Sequence, residues 1–426
     1  MTRSFPAPSS PDGVLDHLVD GADLIVPLAN GEPVKVFDAI EAEARRFDDV
    51  KIHQMHALHD RPSIRGELKP HLTHVSYFLS PVTRPWFHKN QVELVPNHFS
   101  EVPRILRSAT RCSMVLAAAS PMDQHGYFSL GTNADYVAPF IGSVPFFLEV
   151  NAQMPRTFGR NQIHVTQVVG YTEVDYPLVE VPPSTPGEIE SRIAEYVAER
   201  VPNGATIQAG IGAIPNALLA NLRDHRDLGI HTELLSDGMI DLIENGVVTG
   251  TQKEVARSKV VTTFALGTRT LYDFLHENTI VEFHAVDFVN DPRVISREDC
   301  FVSINATTEV DLIGQCASET IGGRYWSSSG GQSDFARGAM YSPGGSAFIV
   351  LPSTTSDGSF SRIRARLTAG SVVTTLKNTV DNVVTEYGVA ELRGRSISQR
   401  AKALISIAHP KFRDELWAEA HEMGYL

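Results

Sequence analysis

Thr206-Ile207-Gln208-Ala209-Gly210-Ile211-Gly212-Ala213-Ile214-Pro215 decides how the rest of the chain is read. A short apolar strand enters a glycine turn, and a proline stands where a helix begins, since its fixed φ and missing N–H suit the first turn. The helix-like stretch Asn216–Arg223 follows, and Leu228–Leu235 reads as a second strand. This is the punctuation of a strand–helix–strand unit in an open α/β sheet.

The same punctuation occurs near the start of the chain. Leu24–Pro27 is apolar, Ala29-Asn30-Gly31-Glu32-Pro33 is a turn, Val36–Arg46 is helix-like, and Val50–Met55 is a strand. Ile52-His53 and Ile230-His231 lie 178 residues apart. Val92-Glu93 and Pro103-Arg104 return 189 residues later as Val281-Glu282 and Pro292-Arg293. Asp123-x-x-Gly126 follows the apolar run Met114–Ala119, and 188 residues on Asp311-x-x-Gly314 follows Phe301–Ile304. Shared α/β punctuation alone is the bland alternative, but blocks in one order at such similar offsets predict a duplicated fold. The expectation is two tandem, similar α/β open-sheet domains, 1–185 and 186–426, joined through Tyr171–Gly187. The active site is expected in the cleft between them. Ser396–Leu426 reads as helix packed on the second half.

Composition bounds the function. With 426 residues, 42% apolar and 20% charged, the chain has ample material for large cores. No apolar run approaches the roughly 18 residues of a membrane span. The polar start Met1–Pro11 lacks a secretory core, and Cys112, Cys300 and Cys316 are too scattered for a disulfide framework. A cytoplasmic protein without membrane contact is expected. The net charge of −13, from 37 basic and 50 acidic residues, argues against nucleic acid. It also means that any anionic ligand must be held by local amides and cations against the overall field.

A duplicated chain points to function where its copies differ. The second strand reads Ile52-His53-Gln54-Met55 in the first copy and Ile230-His231-Thr232-Glu233 in the second. A carboxylate on a buried strand is costly, so Glu233 either does chemistry or pairs structurally. The true glycine turns, Gly210-Ile211-Gly212 and Ser329-Gly330-Gly331-Gln332, lie in the same half. Such turns bring backbone N–H groups close to phosphate or a developing oxyanion; most glycine turns do nothing more than turn.

Other chemistries lack their residues. There is no P-loop, HExxH, GxSxG or paired CxxC, and the glycine turn ending in Pro215 is not a dinucleotide fingerprint. His53, His56 and His59 have no acidic or cysteine cluster beside them, so no metal is expected. Arg362, Arg364 and Arg366 alternate as on one strand face, which is either an anion-binding stripe or a solvated face.

Longer runs carry a resemblance. Gly210–Ala217, His231-Thr232-Glu233-Leu234-Leu235-Ser236-Asp237-Gly238, Val289-Asn290-Asp291-Pro292, Ser303-Ile304-Asn305, Gly330-Gly331-Gln332-Ser333-Asp334-Phe335, Leu351-Pro352-Ser353-Thr354 and Val384-Thr385-Glu386-Tyr387-Gly388 resemble the acetyl-CoA hydrolase/transferase family. Pro121-Met122-Asp123-x-His125-Gly126 and Met154-Pro155-Arg156 extend the likeness through the first half. Among its members the chain looks most like the 4-hydroxybutyrate CoA-transferases.

The resemblance implies two CoA-transferase-like domains and a glutamate nucleophile at Glu233, supported by Asn305 and Glu386. It implies an oxyanion hole from the N–H groups of Ile211 and Gly331, and coenzyme A along Gly210, Ile211, Gly212, Ala213 and Ile214 and near Gly330 and Gly331. Coenzyme A would be a co-substrate, with no metal, and the assembly a homodimer. The implied reaction is CoA transfer between a short-chain acyl-CoA and a carboxylate such as acetate, butyrate, 4-hydroxybutyrate or succinate, through a glutamyl-CoA thioester. The alternatives are acyl-CoA hydrolysis through the same intermediate and, in another class, a CoA-binding protein without turnover. Ser333 departs from the family's apolar residue, and Ser346 stands where relatives often carry a lysine expected near the CoA phosphates.

Overall fold

The computed structural model describes residues 5–210 and 212–426. They group into two compact units, one of Met1–Pro182 with Val261–Val289, the other of Pro183–Val260 with Asn290–Leu426. A single cut at 185/186 would assign Val261–Val289 to the second half; it groups with the first. There Val281–Phe283 pairs in parallel with Phe158–Gly159, and the Tyr272 hydroxyl meets the Asn30 side chain and the Val179 carbonyl.

In the first unit the strands are β1 (Asp23–Val26), β2 (Val50–Gln54), β3 (Leu72–Ser76), β4 (Glu93–Leu94), β5 (Met114–Ala119), β6 (Phe146–Asn151) and β7 (Val168–Val174). They form a parallel sheet in the order β7-β6-β5-β1-β2-β3-β4. The expected joint begins later than Tyr171, because β7 carries the chain to Val174. β5 and β6 are buried at every position, as continuous apolar strands covered on both faces must be. The helix α1 (Val34–Ala42) sends Val36, Phe37 and Ile40 into a core shared with Leu24, Val26, Ile52, Met114 and Phe147.

The second unit repeats this plan. β8 (Thr206–Ala209), β9 (Gly229–Leu235), β10 (Phe301–Ala306), β11 (Ser346–Val350), β12 (Asn382–Thr385) and β13 (Gly388–Glu391) lie in the order β13-β12-β11-β10-β8-β9. All these pairs are parallel except the terminal β12–β13 hairpin. In both units the first strand is flanked on one side by the second and on the other by the strand after a long excursion. The registers agree residue by residue: Leu24 faces Ile52 and Met114, while Ile207 faces Ile230 and Val302. Even the turns match. The Asp123 carboxylate accepts from the N–H groups of His125 and Tyr127, and that of Asp311 from Ile313 and Gln315.

The C-terminal stretch forms α6 (Ile397–Ile407) and α7 (Arg413–Glu422), numbered after α2 (Glu188–Ala198), α3 (Ala213–Asn221), α4 (Gly238–Glu244) and α5 (Gln332–Tyr341). Leu404, Ile405 and Leu416 close a core with Val310, Ile349 and Val383, so the C-terminal helices pack on the second unit.

Candidate active site

In an open parallel sheet, ligands bind beyond the carboxyl ends of the strands, where the strand order reverses. In the second unit this point lies at β8, which has β9 on one side and β10 on the other. Gly210-Ile211-Gly212 leaves β8 there. Ile211 lies outside the described residues. The Gly210 N–H donates to the Ile304 carbonyl at 3.3 Å, which ties the turn to β10. Gly212 has φ +124°, a conformation that favours glycine, and a Cβ added to it would meet nothing within 4 Å. Ala213 and Ile214 open α3, with Ile214 buried in the core.

Glu233 stands on the neighbouring strand. The pairing of Ile207 with Ile230 brings the β9 residue Glu233 level with Gly210. β9 is buried at every other position, and Glu233 alone is partly exposed. Its Oε2 accepts a hydrogen bond from the Asn290 amide at 2.7 Å. Gly331 abuts the same carboxylate: a Cβ there would overlap both Glu233 Oε2 and Asn290 Nδ2. Gly331 caps α5, so the glutamate faces the start of a helix whose partial positive charge suits an anion. Gly330, at φ +56°, makes the turn that brings the chain in.

The electrostatics make Glu233 an unusual carboxyl. Burial pushes its pKa up to about 7, the Asn290 hydrogen bond pulls it down, and the negative charge of Asp334 pushes it up again. Asp334 is itself buried in the first turn of α5. Near neutral pH the group is divided between acid and carboxylate, and its ionised form is less stabilised than in water. A carboxylate in that state is the stronger nucleophile.

The other sequence-predicted residues occupy the same edge of the sheet with different partners. Asn305, on β10, exchanges two amide hydrogen bonds with Gln208 of β8, at 3.0 and 3.2 Å. The asparagine that meets Glu233 is Asn290. Glu386, directly after β12, accepts from the Ser353 N–H at 2.9 Å and the Ser353 hydroxyl at 2.5 Å. Asn290 and Asp334 lay within recognised sequence runs, but only packing singles them out.

The departures from the family pattern have local explanations. The Ser333 hydroxyl donates to the Thr374 carbonyl and pins the start of α5. Ser346 begins β11 and bonds Asp381 and Asn382, at the opposite end of the strands from Glu233. A strand of five residues separates the two edges by roughly 13 Å, so a lysine there would not stand at this edge. The arginine stripe divides: Arg362 Nε donates to the Thr354 carbonyl, and Arg364 pairs with Glu309 at 3.2 Å. His53 is held by Asp23 and Tyr77, and His59 lies 3.3 Å from Glu32. Among the described residues no group of three or more metal-ligating side chains converges, and no helix is long and apolar enough to cross a membrane.

Known proteins resemble the chain over both of its halves. Residues 9–183 match the acetyl-CoA hydrolase/transferase N-terminal domain, and residues 267–420 match its C-terminal domain. The succinyl-CoA:cyclohexane-1-carboxylate CoA transferase of Geobacter metallireducens is 45% identical, covering 95% of this chain and 93% of its own. The 4-hydroxybutyrate coenzyme A transferase of Clostridium kluyveri is 42% identical over 92% of each. An acetyl-CoA hydrolase of Candida albicans is more distant, 29% identical over 56% of this chain and 46% of its own. Among solved structures, RipA of Yersinia pestis superposes with a TM-score of 0.93 at 36% identity, over 98% of each chain. The 4-hydroxybutyrate CoA-transferase of Porphyromonas gingivalis gives 0.83 at 35%, over 97% of each. With both halves matched and full-length relatives this similar, the chain belongs to the acetyl-CoA hydrolase/transferase family.

Proposed function

We propose that the chain is an acyl-CoA:carboxylate CoA-transferase for short-chain acyl groups, working by ping-pong through a thioester on Glu233. The observation that carries this reading is a partly exposed glutamate at the carboxyl edge of the sheet. It is bonded by Asn290, faced by the start of α5 at Gly331, and raised in pKa to about 7. Two relatives matched over more than nine tenths of their own length are named CoA transferases.

In the first step a carboxylate oxygen of Glu233 bonds to the thioester carbonyl carbon, and the carbonyl π electrons move to oxygen. The C–S bond then breaks, leaving an acyl-glutamyl anhydride and the CoA thiolate. The thiolate attacks the glutamyl carbonyl and expels the first acid as its carboxylate, giving glutamyl-CoA. An incoming carboxylate runs the sequence in reverse. No proton moves between the ionised reactants, so no histidine base is needed. The Gly331 N–H, with Ile211 beyond the described residues, serves the developing oxyanion; removing one such donor typically costs about 2.7–4 kcal/mol. Asn290 holds the glutamyl oxygen during each attack, and Asn305 and Glu386 act at the same edge. Coenzyme A lies along Gly210–Ile214 and beside Gly330 and Gly331, as a co-substrate and not a resident group. The working form is a cytoplasmic homodimer, which light scattering of the purified protein tests.

The decisive experiment is incubation with acyl-CoA alone, followed by mass analysis for CoA on Glu233 with and without borohydride. Absence of any adduct, or full activity of Glu233→Ala, would overturn the mechanism. A panel of carboxylate acceptors in the same assay separates transfer from hydrolysis.

A further inference from the structure

Lys253 and Glu298 form an ion pair at 3.8 Å, and both side chains have no solvent exposure at all. Burying two full charges gains little stability over apolar residues, and the best-attested use of such a pair is to fix register. The placement of this pair is specific. The Lys253 ammonium donates to the Ile230 carbonyl of β9 at 2.9 Å and to the Lys259 carbonyl at 3.0 Å. Its methylene stem packs over Gly229, where a Cβ would collide with it. Ile230 is the last β9 residue paired with β8, and Glu233 is three positions further along. The carboxylate of Glu298 accepts from the N–H groups of Glu254 and Val255, next to the lysine. Its own backbone follows the short helix Pro292–Ile295, which starts two residues after Asn290.

The pair therefore spans the two segments whose relative placement sets the 2.7 Å contact between Asn290 and Glu233. We infer that Lys253 and Glu298 are positioning residues, a buried brace that holds the nucleophile strand in register with the segment carrying Asn290. The inference rests on the reading of Glu233 as the nucleophile. An error of 1 Å in a reacting group can cost about a hundredfold in rate, so the brace acts on turnover rather than on substrate affinity.

The test combines Lys253→Met with Glu298→Gln, so that neither charge is stranded, and compares this double variant with Glu298→Gln alone, in which the lysine keeps its two carbonyls. Single-turnover formation of glutamyl-CoA is followed by mass, and rates are expressed per trapped site. The double variant is expected to lose roughly 10- to 100-fold in kcat and in adduct formation, with KM for acyl-CoA within about twofold. Glu298→Gln alone is expected to lose more than twofold, and less than the double variant. A folded double variant with per-site rates within twofold of the parent overturns the inference, as does a loss explained wholly by fewer trapped sites. Should the double variant not fold, Glu298→Gln decides on the same twofold criterion. An unmodified protein that forms no adduct overturns the reading of Glu233, and the brace with it, and that outcome is distinct from an adduct whose rate ignores the brace.

Discussion

The two units put the same point of the same topology to opposite uses. In the first, the turn after β1 is filled by its own chain: the Leu28 N–H donates to Asp135, and Asn133 donates to the Leu28 carbonyl. Tyr136 seals the next strand, accepting from the Met55 N–H and donating to the Val26 carbonyl. Ala29, at φ +51°, is fully buried there. In the second unit the register-equivalent residue is Gly212, with open space where a side chain would stand, and Met55 is replaced by Glu233. One crevice is plugged with satisfied polar groups and an apolar side chain, while the other is left open and given a carboxylate. Of the two switch points that duplication supplied, the first is closed and, among the described residues, the second is left open.

The strongest way to break this contrast is Glu233→Gln. Turnover is expected to fall by about 10⁴-fold or more, as for other covalent nucleophiles, and the CoA adduct to vanish from the mass spectrum. Next is Gly331→Ala, whose methyl group would occupy the space of the Glu233 carboxylate and the Asn290 amide. A loss of roughly 10²–10³ in kcat is expected, and steady-state kinetics with the folded variant checks it.

The pH profile of kcat/KM comes third. Attack needs ionised Glu233, whose pKa is about 7, so the rate constant should fall about tenfold per unit below that value and level off above it. A profile flat down to pH 5 would contradict the burial described.

The smallest effects are on stability, and they have opposite signs in the two units. The raised Glu233 pKa means that the fold favours the protonated acid. The stability this supplies is complete below the ordinary value of 4.5 and is lost as pH rises through about 7. Glu233→Gln should therefore melt higher than the parent at pH 8, by up to about 3 kcal/mol, and nearly level with it at pH 4. Met55→Glu, placing a carboxyl at a position only 3% exposed, should destabilise by a few kcal/mol without creating activity. Calorimetry of both variants at the two pH values measures the pair.

Much of this was legible in the chain because parallel strands transmit register. Met114 and Val302, and Ile52 and Ile230, fall opposite equivalent partners, so the sequence offsets survive as geometry. Glu233 was visible because its copy is apolar. Asn290 was not, since its contact depends on how the segment before Pro292 packs against β9, and no spacing encodes that. Asn305 carries the same amide, but its neighbour across β8 and β10 is Gln208. The alternation of Arg362 and Arg364 suggested one face, whereas Arg362 is drawn back to Thr354 and Arg364 to Glu309. Val261–Val289 groups with the first unit through pairing with residues more than a hundred positions earlier, a choice local composition cannot reveal.

The burial of Glu233 also has a stoichiometric consequence. With a pKa of about 7, roughly half of resting Glu233 carboxyls hold a proton at pH 7, and the glutamyl-CoA proposed above has no place for it. On the proposed mechanism, loading the enzyme with acyl-CoA releases about half a proton per site at pH 7, more at pH 6 and almost none at pH 9, while near pH 5 the expelled carboxylate takes part of that proton back. The heat of loading will then vary with the ionisation enthalpy of the buffer, so a calorimeter can count protons in a reaction whose chemical steps transfer none.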